Sequence, residues 1–335
     1  MSKTLFIGNF LSKHFGTKGA VESLVPYFEK ADLSFDLVSN SKNKIIRLIE
    51  MIFSTIFYKY DIVHVDVYSG HAINFAFIVS KIAKIRGKKV ILNLRGGKLA
   101  ELYNSKKEKL DKLFSNATII LSPSKFLIQF FQSKNIKVEY LPNSIELENF
   151  PYNNNIVNTK SILWVRAFNE IYCPEVVIES FQIVKNKFPD ATLTMVGPDK
   201  GKLNEIKNMI KTLGLDESIK IVGAVPNNKL FKYYQSHSVF LNTTSYESFG
   251  VCVAEAASCG TPIISNNVGE LPYIWENGVS VFLVDENDPK MFAKNILELF
   301  ENQLLAEKLK INARQIVENF DRKLIIEKWI KLLGK

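Results

Sequence analysis

Short β-branched runs alternate with amphipathic stretches along the chain, and this rhythm limits the fold more than any other feature. TLFIG (4–8), FDLVS (35–39), IVHVD (62–66), VILNL (90–94) and ATIIL (117–121) read as buried strands. Between them lie helical patterns such as KNKIIRLIEMIFSTIFYK and NFAFIVSKIAKIRGKK. The series restarts after residue 160 with SILWVR, ATLTMVG, IKIVGAV, VFLNTT, PIISNN and VFLVD. Strands that alternate with helices form parallel sheets covered on both faces. Two such series predict an α/β chain of two doubly wound parallel-sheet domains. The break between them is ELENFPYNNNIVNTKS, polar and rich in asparagine, which reads as a linker. It divides a first domain, residues 1–150, from a second, residues 151–320.

Charge separates the halves. Residues 1–150 hold 22 Lys+Arg against 13 Asp+Glu, so the whole net charge of +9 lies there. Such a half is drawn toward an anionic partner, a phospholipid surface, a lipid-phosphate substrate or nucleic acid, or it serves solubility alone. No apolar run is long enough to span a bilayer. The opening MSKTLFIGNF is too polar for a secretory signal. Three cysteines, Cys173, Cys252 and Cys259, make no disulfide framework and lack metal-ligand spacing. These features predict a cytoplasmic protein, peripheral on the inner membrane face if the basic half meets lipid.

In open parallel sheets ligands bind beyond the carboxyl ends of the strands, so the residues after each strand carry the chemistry. Two such domains are expected to face each other across a cleft. The segment SYESFGVCVAEAASCGTP (245–262) stands out. VFLNTT is a strand, YESFG its turn, and VCVAEAASCG a helix closed by Gly260 with Pro262 beyond. With a helix start near Phe249, Glu255 lies roughly 9 Å along the axis. The amides of Phe249, Gly250 and Val251, with Ser248 before them, form a positive helix end suited to an anion. A carboxylate, an amide nest and a second carboxylate follow in order. The complement is a nucleotide sugar: sugar hydroxyls, a diphosphate and a ribose diol. Two ribose hydroxyls donating to Glu255 would offset its burial. The alternatives are a capping box in Thr244-x-x-Glu247 and a Glu255 that pairs with a basic core residue or faces water.

ESFGVCVAEAASCGTPIIS resembles the Glu, seven residues, Glu signature of the retaining glycosyltransferases of the GT-B fold, family four (glycosyl transferases group 1). LPNSIELENF, SILWVRAF, TMVGPDKG, IVGAVP and VGELP extend the resemblance over most of the chain. It implies two Rossmann-like domains and a final helix (321–335, DRKLIIEKWIKLLGK) crossing back onto the first. It implies that Glu247 contacts the donor sugar, that Glu255 binds the ribose, and that Arg166 neutralises the leaving diphosphate. The donor contacts it places are Ser248, Phe249, Gly250, Val251, Gly197, Val225 and Gly19, the last from a Gly19-Ala20-Val21-Glu22 run similar to the family's GG-x-E. Where the family usually carries a lysine five residues after the arginine, this chain has Ile171, and Lys200 or Lys202 are either substitutes or solvated loop lysines. Where the family commonly has histidine, VILNLRGGKL has Arg95, which binds phosphate, carboxylate or sugar but cannot act as a base. Gly96-Gly97 would let a ligand approach the backbone.

DIVHVDVYSGH (61–71) puts Asp66, Tyr68 and His71 after a strand as acceptor-side candidates, whereas His64 reads as a satisfied core residue and His14 as an exposed loop residue. DEND (285–288) reads as a surface loop, so no metal is expected, and the donor phosphates fall to amides and Arg166. The helix at 42–60 is expected to pack its apolar face on its sheet. The alternative places it on a membrane with Lys42, Lys44 and Arg47 at lipid head groups.

Together these readings predict a retaining, nucleotide-sugar-dependent hexosyltransferase using a UDP- or GDP-sugar, with Glu247, Arg166 and Arg95 at the reaction centre and a lipid-linked or polysaccharide acceptor. The rivals are a non-catalytic nucleotide-sugar-binding subunit and a sugar-nucleotide epimerase of similar fold. A dinucleotide-dependent dehydrogenase is disfavoured because no G-x-G-x-x-G follows the first strand. Nucleic acid is excluded as a partner by the lack of a stacking motif.

Overall fold

The computed structural model describes residues 2–12, 19–70, 72–96, 98–155, 157 and 159–334. His14, His71 and Gly97 lie outside the described residues. The chain forms two compact units, Met1–Ser144 with Arg322–Lys335, and Ile145–Asp321.

The first unit carries a six-stranded sheet in the order β2-β1-β3-β4-β5-β6. Its strands are β1 (Lys3–Ile7), β2 (Ser34–Val38), β3 (Ile62–Val67), β4 (Lys89–Leu94), β5 (Ile119–Ser122) and the two-residue edge β6 (Glu139–Tyr140). All neighbours pair in parallel. Burial on both faces explains the near-continuous apolar runs, as in β3, where Ile62, Val63, Val65 and Val67 are all buried. The C-terminal helix Arg322–Leu332 packs into this unit, with Trp329 against Phe6 and Phe28 at 6.1 and 5.8 Å between ring centres.

The second unit repeats the plan in the order β12-β11-β10-β7-β8-β9. Its strands are β7 (Ser161–Val165), β8 (Thr192–Val196), β9 (Ile219–Gly223), β10 (Val239–Asn242), β11 (Ile263–Asn266) and β12 (Phe282–Val284). The connections reverse direction between β7 and β10, and in the first sheet between β1 and β3. These reversals leave crevices at the strand ends, the usual ligand positions of doubly wound sheets.

The unit boundary falls between Ser144 and Ile145, six residues before the expected division after residue 150. Ile145 donates its amide to Phe320 at 2.9 Å, and Ile145 and Phe150 are buried in the second unit's core. Apolar anchors in IELENF therefore commit that segment to the second unit, although its polar composition reads as a linker.

The Lys44–Phe57 helix overturns the expectation that its apolar face is buried. Its inner face is Arg47, Met51, Ser54 and Thr55, while Ile45, Ile46, Ile49, Phe53, Ile56 and Phe57 are exposed. Arg47 is thus turned inward and does not join Lys42 and Lys44 at the surface.

Candidate active site

β10 ends in Asn242, and the chain turns through Thr243–Gly250 into the helix Val251–Cys259. Gly250 takes the N-cap position at φ 83°, a left-handed conformation, and Gly260 closes the helix at φ 76°. The helix begins at Val251, two residues later than expected, and its N-terminus has no side-chain cap. Val251 is half-exposed there, whereas Phe249 is buried against Phe320.

Glu247 makes no capping box. Its Oε1 accepts from the amides of Ser248 at 3.0 Å and Phe249 at 3.3 Å, so the Phe249 amide, expected to await an anion, already serves a carboxylate. Its Oε2 pairs with Arg166. Thr244, the other half of the expected box, instead donates to the carbonyl of Tyr246 at 2.7 Å.

Arg166 follows β7, directly across the crevice from the β10 end. Its Nε and Nη2 donate to Asn242 Oδ1 at 3.1 and 2.9 Å, and its guanidinium lies 4.8 Å above the Tyr172 ring. Nη1 has no hydrogen-bond partner among the described residues. Burial opposes the charge on Arg166, but Cys252, Glu247 and Tyr172 around it raise its pKa, so it stays protonated. The pair is mostly enclosed, with side chains 13% and 12% exposed, and charge-assisted hydrogen bonding fixes both groups.

Glu255 is 5% exposed, and its charge is met within the unit. Asn227 donates to Oε1 at 2.8 Å and Tyr234 to Oε2 at 3.0 Å. Burial raises its pKa, and the two donors pull it back. Neither a basic residue nor a ribose is needed to explain its tolerance in an apolar helix. A carboxylate offers about four acceptor positions, and these two donors use two of them. Asn227 and Tyr234 escaped the sequence reading. Asn227 follows β9 and was open to discovery by the strand-end rule, but Tyr234 lies inside the Asn227–Ser236 helix and carried no signal.

The glycines act mainly on the chain itself. A Cβ at Gly197 would lie 1.8 Å from the Arg166 carbonyl oxygen, and one at Gly269 would lie 1.9 Å from that of Glu247. Gly197 therefore lets β8 approach Arg166, which accounts for this glycine without a ligand contact. Val225 is half-buried against the core that includes the Val251–Cys259 helix, two residues before Asn227.

The Ile171 backbone carbonyl receives the Ser245 amide at 2.8 Å and the Ser245 hydroxyl at 3.0 Å, fastening the β10 turn. Lys202 pairs with Glu205 at 2.8 Å, and Lys200 is exposed. Asp285 accepts from Asn267 and Asp288 caps the helix starting at Pro289, which accounts for two acids of the DEND loop.

In the first unit, Asp66 Oδ1 accepts from Arg95 Nε at 2.6 Å, with side chains 6% and 10% exposed. Arg95 Nη1 donates to Asn143 at 2.9 Å. Burial opposes the Arg95 charge while Asp66 raises its pKa. Arg95 is therefore held as the charged partner of Asp66. A Cβ at Gly96 would lie 2.3 Å from the Ser69 amide, so this glycine clears the chain, not a ligand. Asp66 and Tyr68 line a pocket with Gly8, Met51 and Phe75 at the β1–β3 reversal. Burial drives the Tyr68 phenol upward, and Asp66 adds to the shift. The Gly19 amide donates to Glu22 at 2.8 Å, so the anion position expected for a donor phosphate holds the chain's own carboxylate. His64 is core but not satisfied: neither ring nitrogen has a partner among the described residues, and burial lowers its pKa to about 4.

With two doubly wound sheets and the Arg166–Glu247–Glu255 constellation in place, comparison with known proteins assigns the family. Residues 147–316, just over half of the chain, match the family described as glycosyl transferases group 1. The chain belongs to the glycosyl transferases group 1 family. A D-inositol 3-phosphate glycosyltransferase of Corynebacterium diphtheriae is 25% identical over 183 residues, 53% of this chain and 43% of the relative. A glycosyltransferase of Haemophilus influenzae described as uncharacterized is 28% identical over 161 residues, 47% of this chain and 44% of the relative. The matches thus span less than half the length of these curated relatives. Among solved structures, HepE of Anabaena in complex with UDP superposes with a TM-score of 0.78 at 14% identity, covering 100% of both chains. Sucrose-phosphate synthase of Thermosynechococcus elongatus gives 0.77 at 16%, covering 99% and 98%. These likenesses show the GT-B fold, two Rossmann-like domains.

Proposed function

We propose that this group 1 family member is a retaining glycosyltransferase that moves a hexosyl unit from a UDP- or GDP-sugar to a cell-envelope glycolipid or polysaccharide acceptor. The observation that carries the reading is the Arg166–Glu247 pair at the β7–β10 reversal, one helix start away from Glu255. HepE has been crystallised with UDP-glucose as well as UDP, which supports a nucleotide-sugar donor.

In this reading the open acceptor positions of Glu255 take the ribose hydroxyls. The uncapped start of the Val251–Cys259 helix and Arg166 Nη1 take the diphosphate, whose developing charge they stabilise. Glu247, held by Arg166 and two amides, accepts from sugar hydroxyls and positions the ring. The C1–O bond to the diphosphate breaks as the acceptor oxygen bonds C1 on the same face, and the acceptor proton passes to the leaving phosphate oxygen. No protein base is required, so Arg95 in place of histidine is compatible with turnover, and no metal ligand set is invoked. Asp66, fixed by Arg95, positions the acceptor hydroxyl in the first unit's pocket, with Tyr68 beside it.

The test is donor binding and turnover by the purified chain. UDP or GDP binding by calorimetry should weaken by roughly tenfold or more in Glu255→Ala, from the loss of charge-assisted hydrogen bonds. Unchanged affinity would remove the ribose assignment. A protein that binds nucleotide sugars but neither transfers nor slowly hydrolyses them would be the non-catalytic subunit instead.

A further inference from the structure

The Lys44–Phe57 helix presents an apolar surface to solvent. Ile45, Ile49, Phe53 and Ile56 follow one another at helical spacing, joined by Ile46 and Phe57, and Ile45 and Phe57 are 71% and 66% exposed. The Phe53 and Phe57 rings lie 4.7 Å apart, so the surface is continuous along the last turns. The neighbouring helix Ala72–Ile85, packed on this one, adds Ile85, which is 76% exposed. A contiguous patch of this kind marks an interaction surface.

Charge identifies the partner. Residues 42–98 hold 11 Lys+Arg against 3 Asp+Glu; without the inward Arg47 and the mostly buried Arg95–Asp66 pair, 9 Lys+Arg stand against 2 Asp+Glu. Lys42 and Lys44 are exposed at the start of the helix and Lys59 beyond its end. Arg86 binds the carbonyls of Thr55 and Tyr58 at 2.6 and 3.2 Å, which places another cation at that end. Glu50 is the helix's only acid.

We propose that this helix seats its outer face in the headgroup region of an anionic lipid bilayer. A second copy of the chain would bring two surfaces of the same positive sign together, because a two-fold contact pairs a patch with itself. Anionic lipids match both the apolar stripe and the flanking cations. The helix is roughly 21 Å long at ~1.5 Å per residue, too short to cross, and its inner face is held by the protein, so it lies on the membrane. Met51 on that inner face also lines the Asp66 pocket, so docking brings the pocket close to lipid-borne hydroxyls. The docking itself stands apart from the transferase reading.

The experiment is co-sedimentation of the full chain with vesicles of phosphatidylcholine alone and of equal parts phosphatidylcholine and phosphatidylglycerol. Binding is expected to the anionic vesicles, weaker at high salt, and to fall by roughly tenfold or more in the double variant Ile49→Glu/Phe53→Glu. Both side chains are more than half exposed, so the variant should keep the wild-type circular dichroism and Tm. Phe53→Trp supplies a second readout, because the native Trp164, Trp275 and Trp329 are buried. Its added emission should shift to the blue with anionic vesicles and be quenched by brominated lipid. The proposal is overturned by failure to sediment with anionic vesicles, or by sedimentation that the double variant leaves unchanged. A dimer that the double variant dissociates, with no vesicle binding, would assign the face to a second copy.

Discussion

Gly269 packs against the backbone of Glu247 so closely that a methyl group built on it would lie 1.9 Å from the Glu247 carbonyl oxygen. Gly269 also adopts φ 57°, and the next amide, of Glu270, donates to that same oxygen at 3.2 Å. A loop after β11 thereby sets the height of the carboxylate that pairs with Arg166.

Gly269→Ala should therefore lower stability by about 2 kcal/mol and reduce donor turnover by roughly tenfold or more, since the clash displaces Glu247. Gly278→Ala is the control. Its φ is 72°, but its Cβ would meet nothing within 4 Å. It should cost about 1 kcal/mol and leave turnover intact. Thermal unfolding and donor-hydrolysis rates, measured on both variants, separate strain from loss of position.

Tyr234→Phe leaves Glu255 with Asn227 as its remaining side-chain donor. At neutral pH the variant should lose about 1–2 kcal/mol of stability. Burial already raises the Glu255 pKa, and loss of a donor that favours the ionised form raises it further. The cost is present where Glu255 is ionised and disappears as pH falls through its folded pKa, because the protonated carboxyl no longer needs the phenol. Urea titrations at several pH values should show wild type and variant converging on the acid side. A pH-independent gap would contradict the assignment.

Arg95 and Asp66 form a mostly buried pair, and removal of one partner strands the other. Arg95→Met alone and Asp66→Leu alone should each cost about 3–5 kcal/mol, and the double variant much less than the sum. A double-mutant cycle in denaturant with coupling near zero would mean that the pair is not formed in solution.

His64 supplies a pH signature. Burial lowers its pKa to about 4, with Asp66 raising it and Arg95 lowering it further. The unfolded imidazole takes a proton near pH 6.5, so the unfolded state binds more protons between that pH and about 4. Its contribution is fully present above pH 6.5 and drains away as pH falls toward 4, by at most roughly 3 kcal/mol. His237, also lowered by burial, adds in the same direction, and Glu255 acts in the opposite one. His64→Leu, between Phe6 and Trp329, should flatten the acid limb of the stability profile. An equally steep limb in the variant would place the acid sensitivity elsewhere.

The chain's own order of residues determined the sheets and the two acids. Strand signals are local: burial on both faces demands β-branched runs, and these fall within a residue or two of the observed strands from β1 to β5 and from β7 to β12. Only β6, a two-residue edge, lacked a run long enough to read. The spacing of Glu247 and Glu255 about a helix start is equally local. Tertiary structure decided which groups meet those acids. Arg166 and Glu247 are 81 residues apart, and Asn227 and Tyr234 reach Glu255 across 28 and 21. Such pairings depend on strand order and crossover connections, which no spacing encodes. Tertiary structure also decided which face of the Lys44–Phe57 helix turns inward. Periodicity establishes that a helix has two unlike faces, but the side left to solvent depends on what the rest of the molecule places beside it.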